Sequence, residues 1–388
     1  MANRFLYDAI IVGGGISGAS IAHSLAKRKI KTLLLERHDD VASEGSGNPT
    51  GLIYPQLTEE KSVECDFSLA AFHYSSAQIE SVLNNKDYAA VPFARGAFQI
   101  PVSDSEQQTI LKATKNYQLD HNEIQFCQES FSGKEGFLFK NALTVPPRRL
   151  TRRLMESCRE FLEVETYANY LGHDLNETFQ VRTDTSIFSS KFLFLCHSNG
   201  FIETPDMNWF PLRRVRGQIA LLPESENLKS LPYSYIFGDY LTRDIGSGSV
   251  LGASSDDIFM DESVRIEETK GFLRKAAVAL PTLKAHFAQL ESMVQDINTR
   301  VSFRLESKDK RPIFGKLPDY EKYKQLKTSD SETIPYIENL FVLGALGSKG
   351  LTHSIFASEI IVREALGEKN LIDQNLYRAF KPERFLKI

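Results

Sequence analysis

Three glycines near the start of the chain are spaced as phosphate chemistry requires. Gly13-Gly14-Gly15-Ile16-Ser17-Gly18 fits the pattern G-x-G-x-x-G, and the acidic Glu36 follows 18 residues beyond Gly18. Gly13 permits a tight turn, Gly15 lets the backbone approach a pyrophosphate, and Gly18 allows a helix to sit close on a strand. Backbone N–H groups at a helix start favour the phosphate charge. A carboxylate at Glu36 accepts hydrogen bonds from adenosine ribose hydroxyls and repels a 2′-phosphate. Ile16 and Ser17 at the helix start and Arg37 beside Glu36 complete this nucleotide set.

A lone G-x-G-x-x-G is weak evidence, so the elements around it decide. Asp8–Val12 is a short apolar, β-branched run, as expected of a buried parallel strand. After the glycines, Ile16, Ala19, Ala22, Leu25 and Ala26 recur at helical spacing up to Lys29, and Thr32–Leu35 reads as a second strand ending at Glu36. Strand, glycine turn, helix and strand together read as a dinucleotide-binding unit.

FAD and NAD share this fingerprint, and two further segments favour FAD. Gly45-Ser46-Gly47-Asn48-Pro49-Thr50-Gly51, with Leu52 after it, is a loop of small residues suited to pass close to pyrophosphate and isoalloxazine. Near the far end, the strand-like Asn339–Leu343 enters Gly344-Ala345-Leu346-Gly347-Ser348-Lys349-Gly350, then Leu351 opens a helical stretch to Leu366. A glycine turn at a helix start can aim N–H groups at the electron-rich edge of a reduced flavin. An ordinary strand-to-helix turn is the other reading of that segment. Lys191–Cys196 is a third buried-strand pattern, and His197 reads as a turn residue near the nucleotide.

Composition sets the limits. The chain has 388 residues, 42% hydrophobic and 25% charged, which suits a globular protein of two or three domains. Lys+Arg 46 against Asp+Glu 50 excludes a basic molecule that binds polyanions over its whole surface. Cys65, Cys127, Cys158 and Cys196 lack metal-ligand spacing and read as reduced thiols of a cytoplasmic protein. No stretch approaches the roughly 18–20 apolar residues of a membrane span. No metal site and no histidine triad are expected.

Several segments carry a resemblance. They are Ser46-Gly47-Asn48 with Gly51-Leu52-Ile53-Tyr54-Pro55, Val215-Arg216-Gly217-Gln218, Asp239-Tyr240-Leu241-Thr242, Gly252-Ala253-Ser254, Arg304 to Gly315, Ala345–Leu351, and the tail Pro382-Glu383-Arg384. The chain resembles, end to end, the D-amino-acid oxidase, glycine oxidase and sarcosine oxidase superfamily. It resembles more closely the FAD-dependent oxidase half of the bifunctional tRNA-modifying MnmC family. The resemblance implies an α/β protein: a Rossmann-like FAD-binding domain of the glutathione-reductase type with a second, mainly antiparallel β substrate domain. It implies removal of the carboxymethyl group of 5-carboxymethylaminomethyl-(2-thio)uridine at the tRNA wobble position. MnmC proteins carry a methyltransferase domain before the oxidase half, whereas this chain starts at the first FAD strand. The expectation is therefore oxidase activity alone, with a separate methyltransferase acting downstream.

Such a reaction needs a cation for the substrate carboxylate, a flavin facing the α-carbon, and water for the imine. Hydride loss gives the imine; hydrolysis releases glyoxylate and leaves an aminomethyluridine, with dioxygen as the expected final acceptor. The resemblance implies that Arg304 takes the carboxylate through its planar fork; a salt bridge to Glu306 or Asp309 is the structural alternative. Tyr240 is implied as a second hydrogen-bond donor, with core packing as its alternative. Lys349 would lie beside the flavin and stabilise negative charge, or face solvent. Arg216 and Arg300 are further candidates for the anionic pocket. Arg148, Arg149, Arg152 and Arg153 make a basic stripe for phosphates if helical, or, interrupted by Glu156 and Glu160, a solvated helix face; Arg213, Arg214 and Arg216 form a second local cluster, with an inward-pointing Arg216 as the alternative.

The expected domains are 1–85 with 143–212 and 326–388 for FAD, and 86–142 with 213–325 for substrate. The substrate domain reads as an antiparallel sheet with a mainly helical Asp261–Leu290, and Lys322–Glu332 as an exposed loop. The same residues would serve an oxidase of glycine, sarcosine or D-amino acids. They would also serve a flavoprotein that binds tRNA or a protein partner without turnover.

Overall fold

The computed structural model describes residues 6–258, 260–326 and 333–386. Its chain divides into two units, residues 1–46, 151–214 and 304–388 in the first and 47–150 and 215–303 in the second.

The first unit is built on continuous apolar runs. Ile10, Ile11, Leu33, Leu34, Leu193, Phe194 and Leu195 are all buried, as strands covered on both faces must be. Leu6–Val12 lies between Thr32–Leu35 and Ile187–Leu195, parallel to both. Leu162–Glu165 and Tyr336–Gly344 extend this parallel set on its two sides, and Ile313–Pro318 joins Tyr336–Gly344 antiparallel. Register brings Val12 opposite Leu35 and Leu195, and Leu195 opposite Val342. The chain therefore leaves three of these strands at one level, at Gly13, Glu36 and Cys196, while the fourth runs on to Gly344. Helices Ile16–Ala26 and Gly350–Ala365 pack together, with Ser24 Oγ donating to Glu359 Oε2 at 2.7 Å.

The second unit holds most of a nine-stranded sheet. Gly51–Ile53, Glu135–Val145, Ala94–Gln99, Ser234–Phe237, Asp239–Leu241, Ser249–Gly252, Leu212–Leu222 and Asn298–Ser307 follow in order, with Ile124–Gln128 beside Glu135–Val145. Side-chain alternation gives the sheet two apolar faces. Tyr235, Phe237 and Leu241 join Phe272, Leu273, Leu280 and Phe287 from the helical stretch Ile266–Ser292. Ile236 and Ala97 join Ile110, Phe137 and Phe139 on the other face, with Leu52 and Tyr240 packed against them.

Three features differ from the sequence reading, and one agrees with it. Residues 47–85 and 143–150 fall in the second unit, where Gly51–Ile53 pairs with Leu143–Val145, and 304–325 fall in the first, where Ile313–Pro318 pairs with Tyr336–Gly344. The sheet is mainly antiparallel, as expected, with Ser234–Phe237 parallel to Ala94–Gln99. Asp104–Asn116 within 86–142 is a helix. Ser103 Oγ accepts the Glu106 N–H at 3.2 Å and Glu106 reaches back to the Val102 N–H at 2.7 Å, a capping-box arrangement. Tyr320–Leu326 is also helical, so 322–326 is no loop; residues 327–332 lie outside the described residues.

Candidate functional site

The glycine turn of the first unit is shaped by what it excludes. Gly13 has φ +107°, and a Cβ there would stand 2.9 Å from the Cys196 carbonyl oxygen. A Cβ at Gly18 would fall onto the Gly13 carbonyl oxygen, so only glycine lets the helix start this close to the strand. Ser46 Oγ accepts the Ile16 N–H at 3.0 Å, which brings the loop after Glu36 over the helix start. Gly15 stands below it; a Cβ there would meet Ser46 Oγ at 3.2 Å.

Glu36 is buried at the end of its strand. Its Oε2 accepts the Gly14 N–H at 2.7 Å and its Oε1 the His38 N–H at 2.9 Å. A carboxylate has about four acceptor positions, so two of them remain for ribose hydroxyls. Arg37 pairs with Glu44, Nε to Oε1 at 2.9 Å. At the neighbouring strand end, His197 Nε2 lies 2.9 Å from Thr204 Oγ1, which itself donates to the Gly200 carbonyl at 3.0 Å. The hydroxyl proton being spent, His197 donates from Nε2. Burial, and then the charge of Arg37, pushes this imidazole down to about 4. His197 is a neutral turn residue beside Gly13.

The second glycine turn, Gly347–Lys349, leads into the helix Gly350–Ala365. Gly347 has φ +52°, and Leu346 forms an antiparallel bridge with Glu306. Ser348 is exposed, while Lys349, Gly350 and Leu351 are half-buried, and Gly350 lies over Ile16. Inside the helix, burial and then the charge of Lys349 hold the His353 imidazole down at about 3.

Arg304 lies on Asn298–Ser307 in the same unit, with Nε 3.7 Å from Glu306 Oε1. Glu306 gives its closer contact to Arg213, Oε2 to Nη2 at 3.0 Å. Asp309 is engaged by Arg384, Oδ2 to Nε at 2.9 Å, and burial notwithstanding, hydrogen bonds from Arg384 and Ser307 hold its carboxyl below the usual range. Arg304 and the Gly347 turn are thus brought together through Glu306. That residue's place two positions along a strand from Arg304 was visible in the sequence; its contact with the turn was not.

In the second unit, Asn48 Oδ1 accepts from Arg300 Nη1 at 2.6 Å, and Thr50 Oγ1 lies 2.7 Å from Thr242 Oγ1. Gly47 precedes Asn48 in this loop and Gly51 and Leu52 begin the following strand. Tyr240 is half-buried against the same apolar face as Leu52.

Arg216 corrects the sequence reading. It is fully buried, and its guanidinium donates to the Asp261 and Ser263 carbonyls, to Gln218 Oε1 and to both Glu268 oxygens. Its donors are spent inside the unit, so it is neither a ligand for substrate nor part of a surface cluster. Arg153 is corrected as well: it is buried and pairs with Glu156 at 3.0 Å, which removes it from the expected basic stripe. Arg148, Arg149 and Arg152 are exposed, Arg152 paired with Asp40. Arg214 pairs with Glu203 at 2.7 Å. Among the described residues, no group of three or more His, Cys, Asp or Glu is placed to hold a metal ion, and no helix is long and apolar enough to cross a membrane.

The sequence pattern of the FAD dependent oxidoreductase family matches residues 8–364. The chain belongs to that family. The oxidoreductase is also similar to curated bifunctional proteins named for tRNA 5-methylaminomethyl-2-thiouridine biosynthesis, MnmC. The protein of Leptospira borgpetersenii is 27% identical over 97% of this chain, and that of Ectopseudomonas mendocina 27% over 98%. The chain spans about 60% of the length of these relatives. Solved structures share its fold. Glycine oxidase from Geobacillus kaustophilus matches with TM-score 0.75 at 15% identity, covering 95% of this chain and 97% of that one. L-Proline dehydrogenase from P. horikoshii matches with TM-score 0.78 at 14% identity, covering 98% of each chain.

The oxidoreductase's cofactor is FAD, and the residues present fit it. Gly13 and Gly18 stand where a Cβ would strike backbone, the helical turn after Ile16 presents N–H groups, and Glu36 keeps acceptor positions at the strand end. These residues would hold the adenosine and pyrophosphate, and the Gly347–Leu351 turn would meet the flavin edge.

Proposed function

We propose that the oxidoreductase removes the carboxymethyl group of 5-carboxymethylaminomethyl-(2-thio)uridine at the tRNA wobble position. One observation carries the reading: the MnmC relatives match 97–98% of this chain. The substrate arm is a secondary amine bearing an N-linked acetate. Loss of a hydride from its α-carbon and of the amine proton gives an imine. Water then adds, and the C–N bond breaks to release glyoxylate and the 5-aminomethyl product. Bound FAD supplies the two-electron acceptor, and dioxygen takes the electrons on as hydrogen peroxide.

Arg304 binds the substrate carboxylate through its fork, with charge-assisted hydrogen bonds. That contact orients the α-carbon and converts binding into alignment. Lys349, at the start of the helix Gly350–Ala365, adds positive charge where electron density arrives. Tyr240 is the candidate second donor to the carboxylate. No strong base is required, since a dehydrated pocket favours the neutral amine. The reaction belongs in the cytoplasm, and a separate methyltransferase would act on the aminomethyl product.

The test is anaerobic mixing of the FAD-loaded protein with tRNA bearing carboxymethylaminomethyluridine while flavin absorbance is followed. Bleaching by this tRNA, with no response to glycine, sarcosine or D-alanine, is expected. Bleaching by the small amines alone refutes the tRNA reading in favour of a small-molecule oxidase. No bleaching by any of them rejects both.

A further inference from the structure

We propose that Arg213 controls carboxylate binding by holding Glu306 off Arg304, an inference that rests on Arg304 being the carboxylate receptor. Arg304 and Glu306 are two residues apart on one strand, so their side chains share a face. Both are long enough to form a direct hydrogen bond. They do not: Arg304 Nε stands 3.7 Å from Glu306 Oε1, beyond hydrogen-bond length. The other oxygen, Oε2, is 3.0 Å from Arg213 Nη2. The directional bond of Glu306 is therefore spent on Arg213, and along this contact Arg304 receives only its field.

The surroundings leave Glu306 few other positions. Its backbone is bridged to Leu346, and its Oε1 lies 3.5 Å from where a Cβ of Gly347 would be. Its side chain is only 17% exposed, against 22% for Arg304 and 44% for Arg213. A carboxylate tethered this close to Arg304 is a built-in rival to any substrate carboxylate, because it is the same chemical group at high effective concentration. Arg213 draws that rival aside. Since the Arg213 end of the pair is the more exposed and screened, the balance is shallow and a single substitution shifts it.

The test uses the FAD-loaded protein and methoxyacetate, a carboxylate that carries an ether in place of the amine. Its dissociation constant is read from the flavin absorbance change and by calorimetry, with FAD content and melting temperature followed for every variant. Arg213→Gln is expected to weaken binding about tenfold, as Glu306 moves onto Arg304. Glu306→Gln is expected to tighten it several-fold, and the double variant to recover at least the parent affinity. A purely structural role for Arg213 would leave the double variant no better than Arg213→Gln, which overturns the proposal. Should Arg213→Gln not fold, Glu306→Gln decides alone, and weaker binding there overturns the proposal. Arg304→Gln is the control: methoxyacetate binding that survives it removes Arg304 as receptor and this inference with it. The tRNA bleaching experiment stands apart from that outcome.

Discussion

Arg216→Met separates a structural arginine from a ligand-binding one. The native guanidinium is 0% exposed and anchors the Asp261 and Ser263 carbonyls, Gln218 and Glu268. Methionine keeps the length of the side chain but none of its donors. Glu268 then loses its buried partner and keeps only the outer Arg265, and two carbonyls are left to find water. Breaking a buried pair from one side costs about 3–5 kcal/mol. For a unit of roughly 200 residues each kcal/mol moves the melting temperature by about 2–4 °C, so a fall of about 10 °C is expected. Arg216→Lys keeps the charge and loses the fork, and should fall in between. Thermal melts followed by circular dichroism measure the shift, with methoxyacetate affinity determined at a temperature where each variant is folded. An unchanged melting temperature together with a tenfold loss of carboxylate affinity would refute the reasoning and return Arg216 to the ligand pocket.

Two glycines should respond to the same change with opposite signs. Gly18→Ala forces a Cβ against the Gly13 carbonyl oxygen and is expected to abolish FAD retention, read as bound flavin after gel filtration. Gly271→Ala has open space inside the helix Ile266–Ala279 and should stabilise by about 0.5–1 kcal/mol in urea titration. Glu359→Gln tests the ion cluster between the packed helices. Burial raises the Glu359 pKa, but bonds from Arg28, Ser24 and Arg363 outweigh it and hold the carboxyl at about 2. Its contribution, up to about 3 kcal/mol, is present above pH 4.5 and lost as pH falls towards 2, so the variant should lie below the parent at pH 7 and approach it in acid. His23, His197 and His353 are held by burial at about 4, 4 and 3. Their unfolded value is about 6.5, so stability present above pH 6.5 is lost as pH falls towards 4, by up to about 1.4 kcal/mol per unit for each histidine. Urea midpoints that stay level from pH 7 to 5 would contradict this.

The nucleotide unit was legible because its signals are local. The turn Gly13–Gly18, the strand before it and Glu36 all lie within one strand–helix–strand stretch, and the pairing of Leu6–Val12 with Thr32–Leu35 follows from it. The helix Asp104–Asn116 was legible too, through Ser103 and Glu106, although it was read as sheet. What sequence spacing did not carry were choices made by distant partners. Arg216 and Arg304 both sit in strand-like runs, and partners far along the chain, Glu268 with the Asp261 and Ser263 carbonyls, commit Arg216 to the interior. Arg153 is withdrawn from the basic stripe in the same way, by burial. The unit boundary near Gly47 depends on pairing between Gly51–Ile53 and Leu143–Val145, and the parallel run of Ala94–Gln99 beside Ser234–Phe237 on two strands far apart in the chain.

The chain passes between its two units after Ser46, Leu150, Arg214 and Phe303. On the ribosome this order has a cost in time. Leu6–Val12 emerges early, but its parallel neighbour Ile187–Leu195 follows only after roughly 10–40 s of synthesis at about 5–20 residues per second. Tyr336–Gly344, which carries the chain into the second glycine turn, comes later still. Through that interval the apolar strand Ile10-Ile11-Val12 lacks its partner on one side, a natural client for a chaperone. On the proposed contact between the Gly347–Leu351 turn and the flavin, FAD capture waits until synthesis has run past Gly350.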